Sequence, residues 1–316
     1  MIRQLNIFIF AVLFISCRTT SSSPGAITNS VIHYGADPSG QSDSSTAFIN
    51  ALKSQSSKII VPKGTYIISQ TIEIKKHLYL ETGVQIIRRK TSNNNGPIFY
   101  LNNNYAFVEG ASKSVLIKSE KESPEGIIKI GHFNDQIKGS NILYCTVQNL
   151  TIKGVQNEEG NSVGVLLFNA QIAGDKFTTS YFHTIRDLVI QNFNTGINLK
   201  GHSNANSISN VLFFNVGKGP DDEAILFQGA LENRVYDFFH HFSPDAVTVR
   251  MVDYKNITPM FNYIFGGISE QGGKKALCAD IQSGKFNVID INCNVYRGSK
   301  THSDFKKDKN VILTRQ

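Results

Sequence analysis

The side chains in this sequence best suited to acid–base chemistry are carboxylates, and the densest group is Pro220-Asp221-Asp222-Glu223, just ahead of an apolar run at 224–227. A pair such as Asp221 and Asp222 can divide the work of glycoside hydrolysis. One carboxyl protonates the leaving oxygen and the other activates water, with about 6.5–9.5 Å between them for inversion. A solvated acidic turn is the competing reading of the same residues. A second group is Tyr181, His183 and Arg186, beside Asp187. Tyrosine and histidine can serve as base and acid in an elimination next to a uronate carboxylate, which an arginine would neutralise. A third candidate is Glu270, set between Gly266-Gly267 and Gly272-Gly273. Glycines there let a ligand approach the backbone closely, although a plain turn explains them too.

These residues hang on a repeating frame. Ile185-Arg-Asp-Leu188-Val-Ile190-Gln-Asn192 aligns with Ile208-Ser-Asn-Val211-Leu-Phe213-Phe-Asn215, 23 residues later, and Val147-Gln-Asn149-Leu150-Thr-Ile152 has the same form upstream. Asn233, Asn262 and Asn287 then open similar segments at shifts of 29 and 25. Second short strands lie between: 196–199, 224–227, 246–249 and 276–278. Such spacing is that of a solenoid whose coils take about 20 to 30 residues. Asn149, Asn210, Asn233, Asn262 and Asn287 mark tight turns or stacked amide ladders, since asparagine tolerates left-handed dihedrals. Asp187 aligns with Asn149 and Asn210 and so reads as a turn residue. Segments 155–164 and 173–184 break the period, and insertions of this kind emerge on the binding face.

The start of the frame is more specific. Tyr34-Gly35-Ala36-Asp37-Pro38-Ser39-Gly40 is a turn-rich loop, and Ser42 or Asp43 can cap a helix whose apolar face is Ala47, Phe48, Ala51 and Leu52. Lys58-Ile59-Ile60-Val61 is a strand ending at Pro62, and Lys63-Gly64-Thr65-Tyr66 is a turn. Over residues 32–84 this order resembles the opening of the pectate-lyase superfamily. That resemblance implies an all-β, single-stranded right-handed parallel β-helix with a short N-terminal capping α-helix. It also implies a groove for extended polysaccharide. Polygalacturonase-like members carry an Asp-Asp pair before a coil strand, as Asp221 and Asp222 do here. Their Gly-His-Gly and Arg-x-Lys elements are missing from this sequence, where only His240-His241 and Arg250 stand at comparable coils. Asp37 and Asp43 read as structural.

Ahead of the frame, Arg3 precedes an apolar stretch over 5–15, too short to span a bilayer and suited to a signal peptide. Phe14-Ile15-Ser16-Cys17 resembles a bacterial lipobox, which implies lipidation of Cys17; an ordinary cleavage with a free thiol is the alternative. The domain expectation is therefore a signal peptide over 1–16, a lipidated cysteine and tether over 17–29, the β-helix over 30–298 and a basic tail over 299–316.

Cys145, Cys278 and Cys293 lack metal-ligand spacing, and the last two either pair across neighbouring coils or stay buried as thiols. Turn carboxylates offer oxygen ligands for Ca²⁺, but without a run at ligand spacing. The net charge of +7 favours polyanions. With no nucleic-acid motif present, an acidic polysaccharide is the expected partner, together with a membrane reached through the lipid anchor. The functional expectation is a surface-anchored hydrolase or lyase on an acidic glycan, or else a non-catalytic glycan-binding or adhesive lipoprotein on the same scaffold.

Overall fold

The computed structural model describes residues 29–134, 141–157, 160–169, 180–273, 275–295, 305–306 and 311–313. Cys17 and the expected signal peptide lie outside them.

The chain winds as a right-handed parallel β-helix, and every paired strand of its sheets runs parallel to its neighbour. In the early coils one wall is made of two short strands per turn, such as Phe107–Gly110 and Leu116–Ser119. These merge at Thr146–Lys153, which pairs with the first through Thr146 to Gln148 and with the second through Thr151 to Lys153. The merger is possible because Asn149 takes a left-handed φ of 62° and bends one strand around the corner that a turn occupied before. Asp187, Asn210, Asp237 and Gly266 repeat that bend in the next four coils. Asparagine, aspartate and glycine are the residues that tolerate it best. The long strands Thr184–Phe193, Ser207–Val216, Arg234–Ser243, Tyr263–Gln271 and Asn287–Val295 continue this first sheet.

The opposite wall stacks Ile72–Ile74, Phe99–Leu101, Ile128–Gly131, Val163–Asn169, Thr195–Gly201, Glu223–Gln228, Val247–Val252 and Leu277–Ile281. Phe305–Lys306 and Val311–Leu313, in the basic tail, add one more strand to each sheet.

Alternation of side chains along each strand puts one apolar column after another inside. Leu78, Val108, Val147, Ile185, Ile208, Val235, Ile264 and Ile289 stand in register through the first sheet and are buried. Each such side chain contributes about 1.5–3 kcal/mol by leaving water.

The first edge is closed by the only α-helix among the described residues, Ser45–Lys53, which buries Ala47, Phe48, Ala51 and Leu52 and so blocks pairing with other chains. Its N-cap is Ser44, not Ser42 or Asp43. Asp43 instead accepts from the Ser45 N–H and from the Ser69 hydroxyl, tying the helix start to the next coil. Asp37 accepts the backbone N–H groups of Ser39, Gln41 and Ser42, and the Ser39 hydroxyl, with the Ser42 and Ser39 N–H groups, holds its carboxyl well below the usual range. At the other end, Cys278 and Cys293 form a disulfide between the two sheets, with Cα atoms 6.0 Å apart.

Candidate active-site groove

The outer face of the second sheet carries a cavity of about 740 Å³. Register pairs Lys129 with Leu166, Leu166 with Asn198, Asn198 with Leu226, Leu226 with Arg250 and Arg250 with Asp280. One outward position thus repeats through six coils, and its residues from Lys129 to Arg250 pave the floor. Each member lies between two inward apolar residues, as in Ile197-Asn198-Leu199 and Val249-Arg250-Met251.

Glu223 stands at the centre of this groove. It begins its strand, is 3% exposed, and accepts a 2.6 Å hydrogen bond from the Thr195 hydroxyl. Burial pushes its carboxyl up to about 7, although the Thr195 hydrogen bond and Arg250 pull the other way. Arg250 Nε lies 3.5 Å from Glu223 and 3.8 Å from Asp280. Both contacts are too long for hydrogen bonds, and that buried N–H has no acceptor within the protein. Asn198 Oδ1 is likewise a buried acceptor without a protein donor. The Arg250 head is fixed by the Pro220 carbonyl and lies 3.8 Å from Asp221. Because both carboxylates lie close to one nitrogen, their nearest oxygens are no more than about 7 Å apart, below the upper limit of about 9.5 Å for carboxylate pairs that share glycoside chemistry.

Cations and rings flank the acids. Lys129 is buried, ion-paired with Glu125 and hydrogen-bonded to the Phe133 carbonyl at 2.7 Å. Its ammonium lies 5.3 Å from the Phe168 ring centre, and Lys200 lies 5.1 Å from that of Tyr254. Burial lowers the Lys129 pKa.

The residues singled out by sequence end in different places. Asp221 is at the rim, its side chain 98% exposed. Asp222 organises the loop before the strand, accepting from the N–H groups of Lys218 and Gly219 and from Asn194. Tyr181, His183 and Arg186 do not converge. Arg186 lies on the outer face of the first sheet and donates to Gln148. Tyr181 packs edge-on against Phe182. His183 is interior, 1% exposed, accepting from the Cys145 N–H and contacting the Ser180 hydroxyl at 2.8 Å; burial drops its pKa to about 3. Glu270 also lies on the first sheet, 3.1 Å from His241. Among the described residues no three acidic, histidine or cysteine side chains gather as a metal site.

Glu223, Arg250, Asp280 and Lys129 were not singled out as a site by sequence. A signal existed. Once the second strands are stacked by coil, a polar residue stands between two apolar ones at Lys129, Asn198, Arg250 and Asp280, and Glu223 directly follows the Asp221-Asp222 pair.

No protein-family model and no curated protein sequence matches the chain. Solved structures do match. The iota-carrageenase of family GH82 from A. fortis superposes with a TM-score of 0.56 at 14% identity, over 78% of this chain and 57% of that one. PfbA, a surface adhesin of Streptococcus pneumoniae, gives 0.55 at 15% identity over 86% and 80%. A galactohydrolase of a sulfated galactose–anhydrogalactose polymer gives 0.57 at 13% identity over 83% and 69%. The chain thus spans little more than half of the A. fortis carrageenase. The shared architecture is the right-handed parallel β-helix.

Proposed function

We propose that this protein is a polysaccharide hydrolase that lays an acidic glycan along the groove of its second sheet, with Glu223 as the proton donor. The observation that carries this reading is a buried carboxyl on the lining of a solvent-reached groove, where burial raises its pKa to about 7, as a general acid needs at neutral pH. Asp280, on the other side of Arg250, is the second carboxylate and activates water. Lys200, on the groove lining, supplies positive charge for an acidic chain. A lyase fits less well, because Arg250 already faces Glu223, Asp280 and Asp221 and is not free to neutralise a uronate. In the same proposal the chain is exported, with Cys17 as its lipid anchor and 17–29 as the tether.

The test is release of reducing ends from iota-carrageenan, pectate, alginate and hyaluronan, read beside the ultraviolet absorbance of unsaturated uronates. Reducing ends alone are expected, and Glu223→Gln should lower kcat by about 10²–10⁴-fold. Rising ultraviolet absorbance would replace the hydrolase with a lyase. Retention of a glycan without cleavage would favour the adhesive reading, which the fold of PfbA keeps in view.

A further inference from the structure

A second feature lies on the outer corner leading into the first sheet, away from the groove. Seven successive coils place one residue there with left-handed φ: Tyr105, Tyr144, Phe182, Ala205, Glu232, Phe261 and Phe286, at 52–61°. Backbone bridges from Tyr181 to Asn204, Leu231, Met260 and Lys285 hold the last five in register. Bulky residues rarely accept this conformation, yet five of the seven are aromatic. Their rings stack where they are neighbours: Tyr105 on Tyr144 at 5.3 Å, Tyr144 on Phe182 at 5.4 Å, and Phe261 on Phe286 at 5.2 Å, all within 15° of parallel.

The stack is broken at two coils only, where Ala205 and Glu232 replace rings. The break is open, with a cavity of about 800 Å³ bounded by Phe182 on one side and Phe261 on the other. Three coil steps at about 4.8 Å each separate those two rings, leaving room for a ring above Ala205. The aliphatic stem of Glu232 part-fills the next step. Arg234 and Tyr236 form the polar wall, with the Tyr236 hydroxyl 3.2 Å from Ser207.

We infer that this gap is a second carbohydrate site, independent of the groove, which receives one pyranose ring against the face of Phe182. The apolar C–H face of a sugar covers the exposed phenyl, while its hydroxyls donate to the Glu232 carboxylate and accept from Arg234. An aromatic peptide side chain would use the ring but leave Glu232 and Arg234 without matched partners. That mixture of one apolar face and charged hydrogen-bonding groups at the edge is why a sugar is the better occupant.

The test refills the stack. Ala205→Phe puts a ring at a corner whose backbone already suits one, and Phe182→Leu removes the platform without filling the gap. Binding of oligogalacturonate, sulfated galactan oligosaccharides and neutral galactan oligosaccharides is followed by saturation-transfer NMR and titration on the full chain. Both variants should weaken at least one sugar by roughly tenfold or more, with circular dichroism unchanged and groove cleavage intact. Arg250→Ala, in the groove, should leave this binding in place, so failure of the groove reading and failure of this one are told apart. Unchanged binding in Ala205→Phe, no sugar bound by the unmodified chain at millimolar concentration, or capture of an aromatic peptide in place of sugar would each overturn the inference.

Discussion

At the scale of single residues, two buried titrating groups pull stability in opposite directions with pH. The folded pKa of Glu223 is raised, so the folded chain holds a proton that the unfolded chain loses above about 4.5. Its contribution is favourable at low pH and is lost as pH rises toward about 7. Glu223→Gln removes the burden, so the variant should gain on the order of 3 kcal/mol relative to the parent at pH 8 and nothing at pH 4. Urea denaturation across that range checks it; a difference independent of pH would mean that Glu223 is not the titrating group. His183 behaves inversely. Its folded pKa of about 3 lies below the unfolded 6.5, so stability is present above 6.5 and drains away as pH falls toward 3. His183→Asn should match the parent near pH 7.5 and exceed it by a few kcal/mol near pH 4, because an amide can accept from the Cys145 N–H without taking up a proton.

At the scale of elements, the asparagines divide into two columns with different work. Asn149 and Asn210 bend strands. Asn233, Asn262 and Asn287 point inward with Asn206 and form a buried amide ladder, each Oδ1 accepting from the backbone and side-chain N–H groups of the preceding rung at 2.8–3.1 Å. The Nδ2 atoms also give a second hydrogen bond to carbonyls that accept a backbone N–H, as Asn233 does to Ser203 at 3.0 Å beside the Leu231 N–H. Asn233→Leu is close in volume but strands the Asn206 N–H, which loses its Oδ1 acceptor. A loss of about 1–3 kcal/mol is expected, read as a lower thermal midpoint. Equal stability would show that water replaces the amide. His183 and Cys145 occupy the same column upstream, which is why a histidine that looked catalytic by composition lies inside the wall.

At the scale of the whole molecule, a solenoid is stabilised mainly between neighbouring coils, so its ends open first. The Cys278–Cys293 disulfide fastens the late coils, closing 15 residues of chain. Its removal by Cys278→Ser with Cys293→Ser should cost about 3 kcal/mol by loop entropy. The effect should be local: amide hydrogen exchange should quicken over 277–295 and stay unchanged over 146–193. Uniform acceleration would mean that the whole helix unfolds as one unit.

The sequence by itself determined the architecture, because the apolar period of each strand, the turn residues at its corners and the helix at its start are local signals repeated coil after coil. Val147, Ile185 and Ile208 announce one inward column, and Asn149, Asp187 and Asn210 announce the bend that follows. What only the tertiary structure decided was the site. Catalytic candidacy depends on which outward positions share a column and how deeply each is buried. Glu223, Arg250 and Asp280 are separated by 27 and 30 residues in a chain whose coils vary in length, so their meeting depends on strand register. Asp221, Asp222 and Glu223 are adjacent in sequence and alike in chemistry. Burial alone sets Glu223 apart, and burial follows from the packing of neighbouring coils.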